Sequence, residues 1–144
     1  MPTPKTDSNC LFCRLAGGQA REFFVHADAE AVVFPVLHPR AEGHLIVVPR
    51  AHYRNAFDLP EALAGRLLTV GGRMGQLLRA ELGCPGILLA MNCEPPGQDI
   101  MHAHLHIIPR YPDDDLDLAK PPEADRAALR TLAARLRNAL CPPK

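Results

Sequence analysis

The sequence predicts an α+β domain: a five-stranded antiparallel sheet covered by one long helix, with a second helix near the C-terminal end. Three observations carry this. Short β-type runs follow one another through tight Pro- and Gly-bearing connections, which favours antiparallel neighbours over crossovers. One long stretch between Asp58 and Gly83 carries apolar residues at helical spacing. The segment HAHLHII, residues 102–108, alternates strictly between histidine and apolar side chains, the period of a strand.

The elements follow in order. The opening MPTPKTDSN lacks an apolar segment and reads as a disordered tail over residues 1–9, ahead of one domain over 10–144. FFVHA (23–27) and AVVF (31–34) read as two strands joined by a tight connection, DAE. HPRAEG (38–43) is loop, and HLIVVP (44–49) is a third strand closed by Pro49. Asp58 is placed to cap the long helix, with Pro60 in its first turn and Glu61 three residues after the cap. Leu63, Leu67, Val70, Met74, Leu77 and Leu82 then recur at helical spacing, and Gly83 supplies the stop. Gly71, Gly72 and Gly75 each cost that helix about 1 kcal/mol relative to Ala, a cost that makes sense where another element packs closely. ILLAMN (87–92) is a fourth strand and residues 102–108 a fifth. YPDDDLDLAKPP (111–122) is an acidic, Pro-rich surface loop. Leu129, Leu132, Leu136 and Leu140 mark a helix over roughly 123–140.

Composition narrows the function classes. The chain has 144 residues, 47% of them hydrophobic, enough for one packed core. Lys plus Arg is 16 and Asp plus Glu is 16, so no bulk charge draws it to nucleic acid or to a membrane surface. No apolar run approaches the roughly 20 residues of a membrane span. The expected location is the cytoplasm, where cysteines are thiols by default, and the five here are an odd number.

His102, His104 and His106 share one strand face, expected to be accessible, while Ala103, Leu105 and Ile107 turn to the core. Adjacent histidines would stand about 6.6 Å apart and the outer pair about 13 Å. A zinc–nitrogen bond is only about 2 Å, so one ion takes at most two of the three. At least one histidine must serve another purpose. Cys10 and Cys13 form a C-x-x-C pair, open to a redox role, a metal role or none.

The pattern His102-Ala-His104-Leu-His106-Ile-Ile108 resembles the histidine triad (HIT) family. CLFC near the start, GHLIVVPRAH in the middle, Asn92 and GQDIMHAHLHIIPR resemble it too, in order and spacing, over roughly residues 9–111. The resemblance implies nucleotide hydrolases or nucleotidyl transferases with an antiparallel sheet and helices, commonly homodimeric. It implies that His104 attacks an α-phosphate, with its Nδ1–H held by the His102 carbonyl. His106 would contact the phosphate oxygens, and His44 matches a fourth active-site histidine. Gly97, Gln98 and Asp99, in the loop PPGQD, match the phosphate loop, and Asn92 matches a phosphate- or sugar-contacting asparagine. Phe34 and Leu37 suit an apolar base pocket. Several bacterial members bind a structural zinc through a C-x-x-C pair and two histidines, which match Cys10, Cys13, His52 and His102. A metal-free thiol pair is the alternative. Cys84 and Cys141 are expected to be incidental, Cys93 to be a small packed side chain or else an oxidisable thiol near the phosphate, and His26 and His38 to be surface histidines. Where many members carry an acidic residue for the ribose hydroxyls, this chain has Val36, and Asp99 stands where some have Ser or Thr. A weakly catalytic or non-catalytic zinc-stabilised nucleotide-binding protein is the second functional reading.

Overall fold

The computed structural model describes residues 5–116 and 121–140. A four-residue helix α1 (Leu11–Arg14) opens the fold and continues through a wide turn over Leu15–Gln19 and a tight one over Arg21–Phe23. Five strands follow in sequence: β1 (His26–Ala27), β2 (Ala31–Pro35), β3 (Leu45–Pro49), β4 (Gly86–Ala90) and β5 (Leu105–Arg110). The 22-residue helix α2 (Glu61–Leu82) separates β3 from β4, and α3 (Arg126–Leu140) ends the described chain. All pairings are antiparallel, and the strand order is β1-β2-β3-β5-β4.

Alternation along the strands divides the core between the two sheet faces. Ala31 and Val33 of β2, Leu45 and Val47 of β3, and Leu105 and Ile107 of β5 form one cluster, with Leu67 and Val70 of α2. Val32 and Phe34, then Ile46 and Val48, form the other, with Phe12 and Ala16 from the N-terminal segment. His106 lies opposite Ile46 in the register, so the histidine side of β5 belongs with the second face. The sheet's parity therefore delivers the histidines to the side that α1 covers.

Of Gly71, Gly72 and Gly75, two admit close approach, as the sequence implied. A Cβ at Gly71 would meet Leu105 Cδ2 at 2.8 Å, and one at Gly75 would meet Ile87 at 3.3 Å. Gly72 faces open space. Gly83 ends α2 in the left-handed conformation, φ 69°, with its N–H on the Arg79 carbonyl.

Several expectations need correction. Asp58 does not cap α2: Pro60 holds that position without a side-chain bond, and the Asp58 carboxylate accepts the N–H groups of Arg54 and Asn55 instead. The first strand shrinks to two residues because Arg21–Phe23 coil into a tight turn. The fifth begins at Leu105 rather than His102 and runs on to Arg110. Residues 5–9 are not a free tail: the His52 N–H donates to the Lys5 carbonyl at 2.6 Å, and the Asp7 N–H reaches Cys13 Sγ. Residues 1–4, residues 117–120 of the expected acidic loop, and Cys141 fall outside the described residues.

His26 is half-buried and bonds Asp28, while His38 is exposed. Burial alone would raise the Asp28 pKa, but His26, the Glu30 and Ala31 N–H groups and Arg66 hold it well below the usual range. The Arg66 bond ties the β1–β2 turn to α2. The C-terminal helix forms, yet Leu129, Leu132, Leu136 and Leu140 are 48–83% exposed and no residue of α3 is buried. No described helix is long and apolar enough to cross a membrane.

Candidate active site and metal centre

The triad lies where β5 begins, and two of its three rings are covered. His102 is 0% and His104 7% exposed, which corrects the expectation of an accessible face. The cover comes from distant sequence. The Ala103 N–H bonds the Tyr53 carbonyl at 2.7 Å, drawing the segment after β3 across the strand's lead-in. From the other direction, the Phe12 ring stands 5.0 Å from that of His104 and 6.0 Å from that of His102.

Hydrogen bonds fix the tautomers. Burial, the largest cause, pushes His102 down to about 4, so its ring is neutral near pH 7. Its Nε2–H donates to the Pro49 carbonyl at 2.8 Å, leaving a lone pair on Nδ1. Burial likewise lowers His104, against the His102 carbonyl and the Asp99 charge. His104 donates Nδ1–H to the His102 carbonyl at 2.8 Å, leaving the lone pair on Nε2. Among the described residues every buried side-chain nitrogen and oxygen has a partner. Nε2 of His104 has none, so it opens to solvent.

A second chain of bonds orients His106. The Arg40 N–H donates to His44 Nδ1 at 3.1 Å, so His44 carries its proton on Nε2 and offers it to His106 Nδ1 at 3.0 Å. Burial, with the neighbouring His104, His44 and Arg40, pushes His106 down to about 4. A neutral His106 with Nδ1 accepting must present Nε2–H as a donor. Its ring lies 4.9 Å from that of His104. The arrangement sets one free nucleophilic nitrogen beside one aimed N–H donor.

Cys10, Cys13, His52 and His102 form a second cluster on the other side of His102. Their ligand atoms lie within 4.8 Å of one another, close enough to bind one metal ion. The Cys10 and Cys13 sulfurs are 3.4 and 3.5 Å from His102 Nδ1, Cys13 is 3.3 Å from His52 Nδ1, and the two Nδ1 atoms are 3.2 Å apart. Tetrahedral bonds of about 2.0–2.1 Å to nitrogen and about 2.3 Å to sulfur set ligand separations of roughly 3.3–3.8 Å, so the four are nearly in place. The chemistry fits as well. Pro49 fixes the His102 tautomer that bares Nδ1, and the Asp7 N–H favours a Cys13 thiolate whose pKa burial otherwise raises. His102 thus serves both halves of the site, its ring in the cluster and its carbonyl on His104.

The expected substrate residues fall into three groups. Asn92 and Gly97 adjoin: a Cβ at Gly97 would come 2.9 Å from Asn92 Oδ1, so the loop turns tightly there. Gln98 is 3% exposed and its carboxamide is fully engaged. Its Oε1 accepts from Asn55 and the Glu94 N–H, and its Nε2 donates to the Arg54 and Ile100 carbonyls. That side chain braces the loop and has no bond left for a ligand. Asp99 is exposed and, with Asp7 and His52, borders a cavity of about 490 Å³ beside the Cys/His cluster. Phe34 is buried against Phe12 and Phe24, whereas Leu37 is 89% exposed.

Sequence reasoning missed Asn55 and Phe12. Asn55, 1% exposed, donates to both Glu94 and Gln98 and accepts from the Phe57 N–H. Arg54 adds a paired contact to Glu94 at 2.6 and 2.7 Å. Together they clamp the loop after β4 to the segment after β3. Its only sequence sign was a polar residue between the GHLIVVPRAH stretch and the long helix.

The HIT domain family model matches residues 17–113 of this chain. The chain belongs to the HIT family. Protein hit of Bacillus subtilis is 31% identical to this HIT protein over 108 residues, 74% of each chain. A zinc-bound histidine triad family protein from Mycobacterium smegmatis superposes with a TM-score of 0.72 at 27% identity, covering 91% of this chain and 97% of its own. The adenosine 5'-monophosphoramidase of Saccharomyces cerevisiae is 24% identical over 111 residues, 76% of this HIT protein and 68% of the yeast enzyme.

Proposed function

We propose that this HIT protein hydrolyses or transfers nucleotides at an α-phosphate, on nucleoside phosphoramidates or dinucleoside polyphosphates, through a nucleotidyl intermediate on His104. The observation that carries this is the His104 ring, pinned through Nδ1–H to the His102 carbonyl and open at Nε2. A neutral imidazole so held is a competent nucleophile near pH 7. Nε2 bonds to phosphorus as the bond to the leaving amine or phosphate breaks, and the leaving group takes a proton from solvent. Water then attacks phosphorus, and the nucleoside monophosphate departs from the restored histidine. His106, oriented by His44, donates Nε2–H to a phosphoryl oxygen as charge develops there. Asn92, Gly97 and Asp99 border the phosphate, Gln98 holds their loop in shape, and Phe34 and Leu37 belong to the base side. The yeast phosphoramidase supports the substrate class.

The metal is zinc in this reading, supported by the donor set and by the zinc-bound mycobacterial relative. Zinc held by Cys10, Cys13, His52 and His102 would complete a closed tetrahedral shell that stabilises the fold. It leaves no open position for substrate.

Release of adenosine monophosphate from adenosine phosphoramidate and from a diadenosine polyphosphate tests the activity. Turnover on at least one is expected; binding of both without turnover would leave a nucleotide-binding protein. A second test concerns the sugar. Val36 is half-buried against the aromatic cluster and offers no acceptor to a ribose. An acidic grip is worth roughly 1.5–3 kcal/mol, or about one to two decades of affinity. Adenosine and deoxyadenosine monophosphates should therefore bind within a few-fold of each other, and Val36→Asp should favour the ribonucleotide. Strong ribose preference in the unaltered chain would mean that another residue holds the sugar.

A homodimer belongs to the same proposal. Among the described residues β4 pairs only with β5, which leaves its other edge open, and its sequence GILLA carries no charge to discourage pairing. A groove of about 380 Å³ between α2 and β4, floored by Gly71, Gly72 and Gly75, adjoins that edge. The leucines of α3 add uncovered apolar surface. Sedimentation velocity should give the mass of two chains, and a single-chain mass at micromolar concentration would contradict the dimer.

A further inference from the structure

Phe12 stands where the two halves of the site meet. It follows Cys10 by two residues and precedes Cys13 by one, so the cluster's two cysteines flank it, Cys10 at the boundary of α1 and Cys13 within it. Its ring is 6% exposed. It meets the His104 ring at 5.0 Å and 82°, the His102 ring at 6.0 Å and 80°, and Phe34 at 6.0 Å and 75°, all edge-to-face. Such contacts are directional, so they restrain ring orientation as well as position.

That restraint bears on the nucleophile. The bond to the His102 carbonyl fixes the tautomer of His104 but holds the ring at one atom. Rotation of an imidazole about its Cβ–Cγ bond is soft, and Nε2 lies at the far end of the ring from the pinned nitrogen's bond. A misplacement of about 1 Å at a reacting atom is worth about 10²-fold in rate. The Phe12 ring supplies the second point of restraint.

The segment that carries Phe12 cannot hold itself. The short helical run from Leu11 to Gln19 has too few residues for a helix to stand alone in water. Cys10, at its N-terminal boundary, makes no capping bond, and the chain bends away at Gly18 with φ 110°. What fixes it is the contact of Phe12 and Ala16 with the sheet and the gathering of Cys10 and Cys13 against His52 and His102.

We propose that Phe12 is a positioning residue for His104, and that a divalent metal ion bound by Cys10, Cys13, His52 and His102 acts on the reaction by clamping α1 and so holding the Phe12 ring against the nucleophile. This rests on the reading of His104 as the nucleophile. The metal is then more than a staple for the fold: its occupancy is transmitted to Nε2 by one aromatic contact and by the shared residue His102.

The test uses Phe12→Leu in full-length, zinc-loaded protein, with Phe12→Met as a second variant should the first fail to fold. Zinc content is measured by elemental analysis, the His104 imidazole by nitrogen-15 NMR, and the rate of adduct formation by rapid quench. Zinc content should stay at that of the unaltered protein. The slowly exchanging Nδ1–H signal of His104 should broaden or exchange faster. Adduct formation should slow by roughly 10- to 100-fold, with KM changed less than about threefold. Stripping zinc from the unaltered protein should cause a similar loss, and stripping it from the Phe12 variant little more. A native adduct rate with an unchanged His104 signal would overturn the proposal. So would a rise in KM alone, which would make Phe12 a substrate contact, or losses that multiply independently. If the unaltered protein forms no adduct with any nucleotide, the proposed reaction fails, and the His104 signal in the Phe12 variants and on zinc removal alone decides whether the ring is positioned this way.

Discussion

Replacing His104 by Asn should lower kcat by about four orders of magnitude or more, the scale of loss when a covalent nucleophile is removed. That corresponds to at least roughly 5.5 kcal/mol of transition-state stabilisation. Asn is the informative substitution because His104 is buried. His104→Ala would open a cavity and strand the His102 carbonyl, mixing a stability loss of about 1–3 kcal/mol with the chemical one. Asn keeps a donor near the position of Nδ1, so the bond to His102 survives while the nucleophilic nitrogen is gone. Thermal unfolding of His104→Asn should stay within a few degrees of the unaltered protein, and nucleotide binding should persist. A variant that retains most of the turnover would remove His104 from the mechanism.

Loss of the metal should have the largest effect on stability. Structural zinc contributes apparent binding energies of about 10–16 kcal/mol at pH 7, much of which becomes folding energy where the site forms only on folding. Here the cluster draws on α1, the segment after β3 and the lead-in to β5, three pieces brought together only by the fold. Chelation, or Cys13→Ser, should therefore lower the unfolding temperature by well over 10 °C in calorimetry, and freshly purified protein should carry about one zinc per chain. Protein that has never met a chelator and holds no zinc, with an unfolding temperature indifferent to added zinc, would leave the cluster as a set of hydrogen-bonded thiols.

Local signals in the sequence were enough for the sheet and the long helix, because each is written in a short repeat. The alternation of residues 102–108 put three histidines on one side, and the glycines at 71 and 75 marked where α2 lies close to Leu105 and Ile87. The helix stop at Gly83 follows from its left-handed φ, which suits glycine. What failed depended on distant partners. Periodicity assigns a side but does not say what covers it, so the burial of His102 and His104 under Phe12 and the Tyr53 segment was not legible. Asp58 looked like a cap because its spacing is right, yet the nearer N–H groups of Arg54 and Asn55 claimed its carboxylate. Gln98 looked free to meet a phosphate until Asn55, 43 residues earlier, was seen to hold it. The leucines of α3 gave the helix correctly, but among the described residues none of them is buried.

The most direct measurement of the central claim is mass-spectrometric trapping of the intermediate. The unaltered protein is mixed with an adenosine phosphoramidate or diadenosine polyphosphate, quenched within one turnover at alkaline pH to protect the phosphorus–nitrogen bond, digested and sequenced. The account predicts one adenylyl group on the peptide containing residues 102–108, localised to His104 and missing from His104→Asn. Turnover without any adduct, or an adduct on His106 or His44 that survives in His104→Asn, would contradict it.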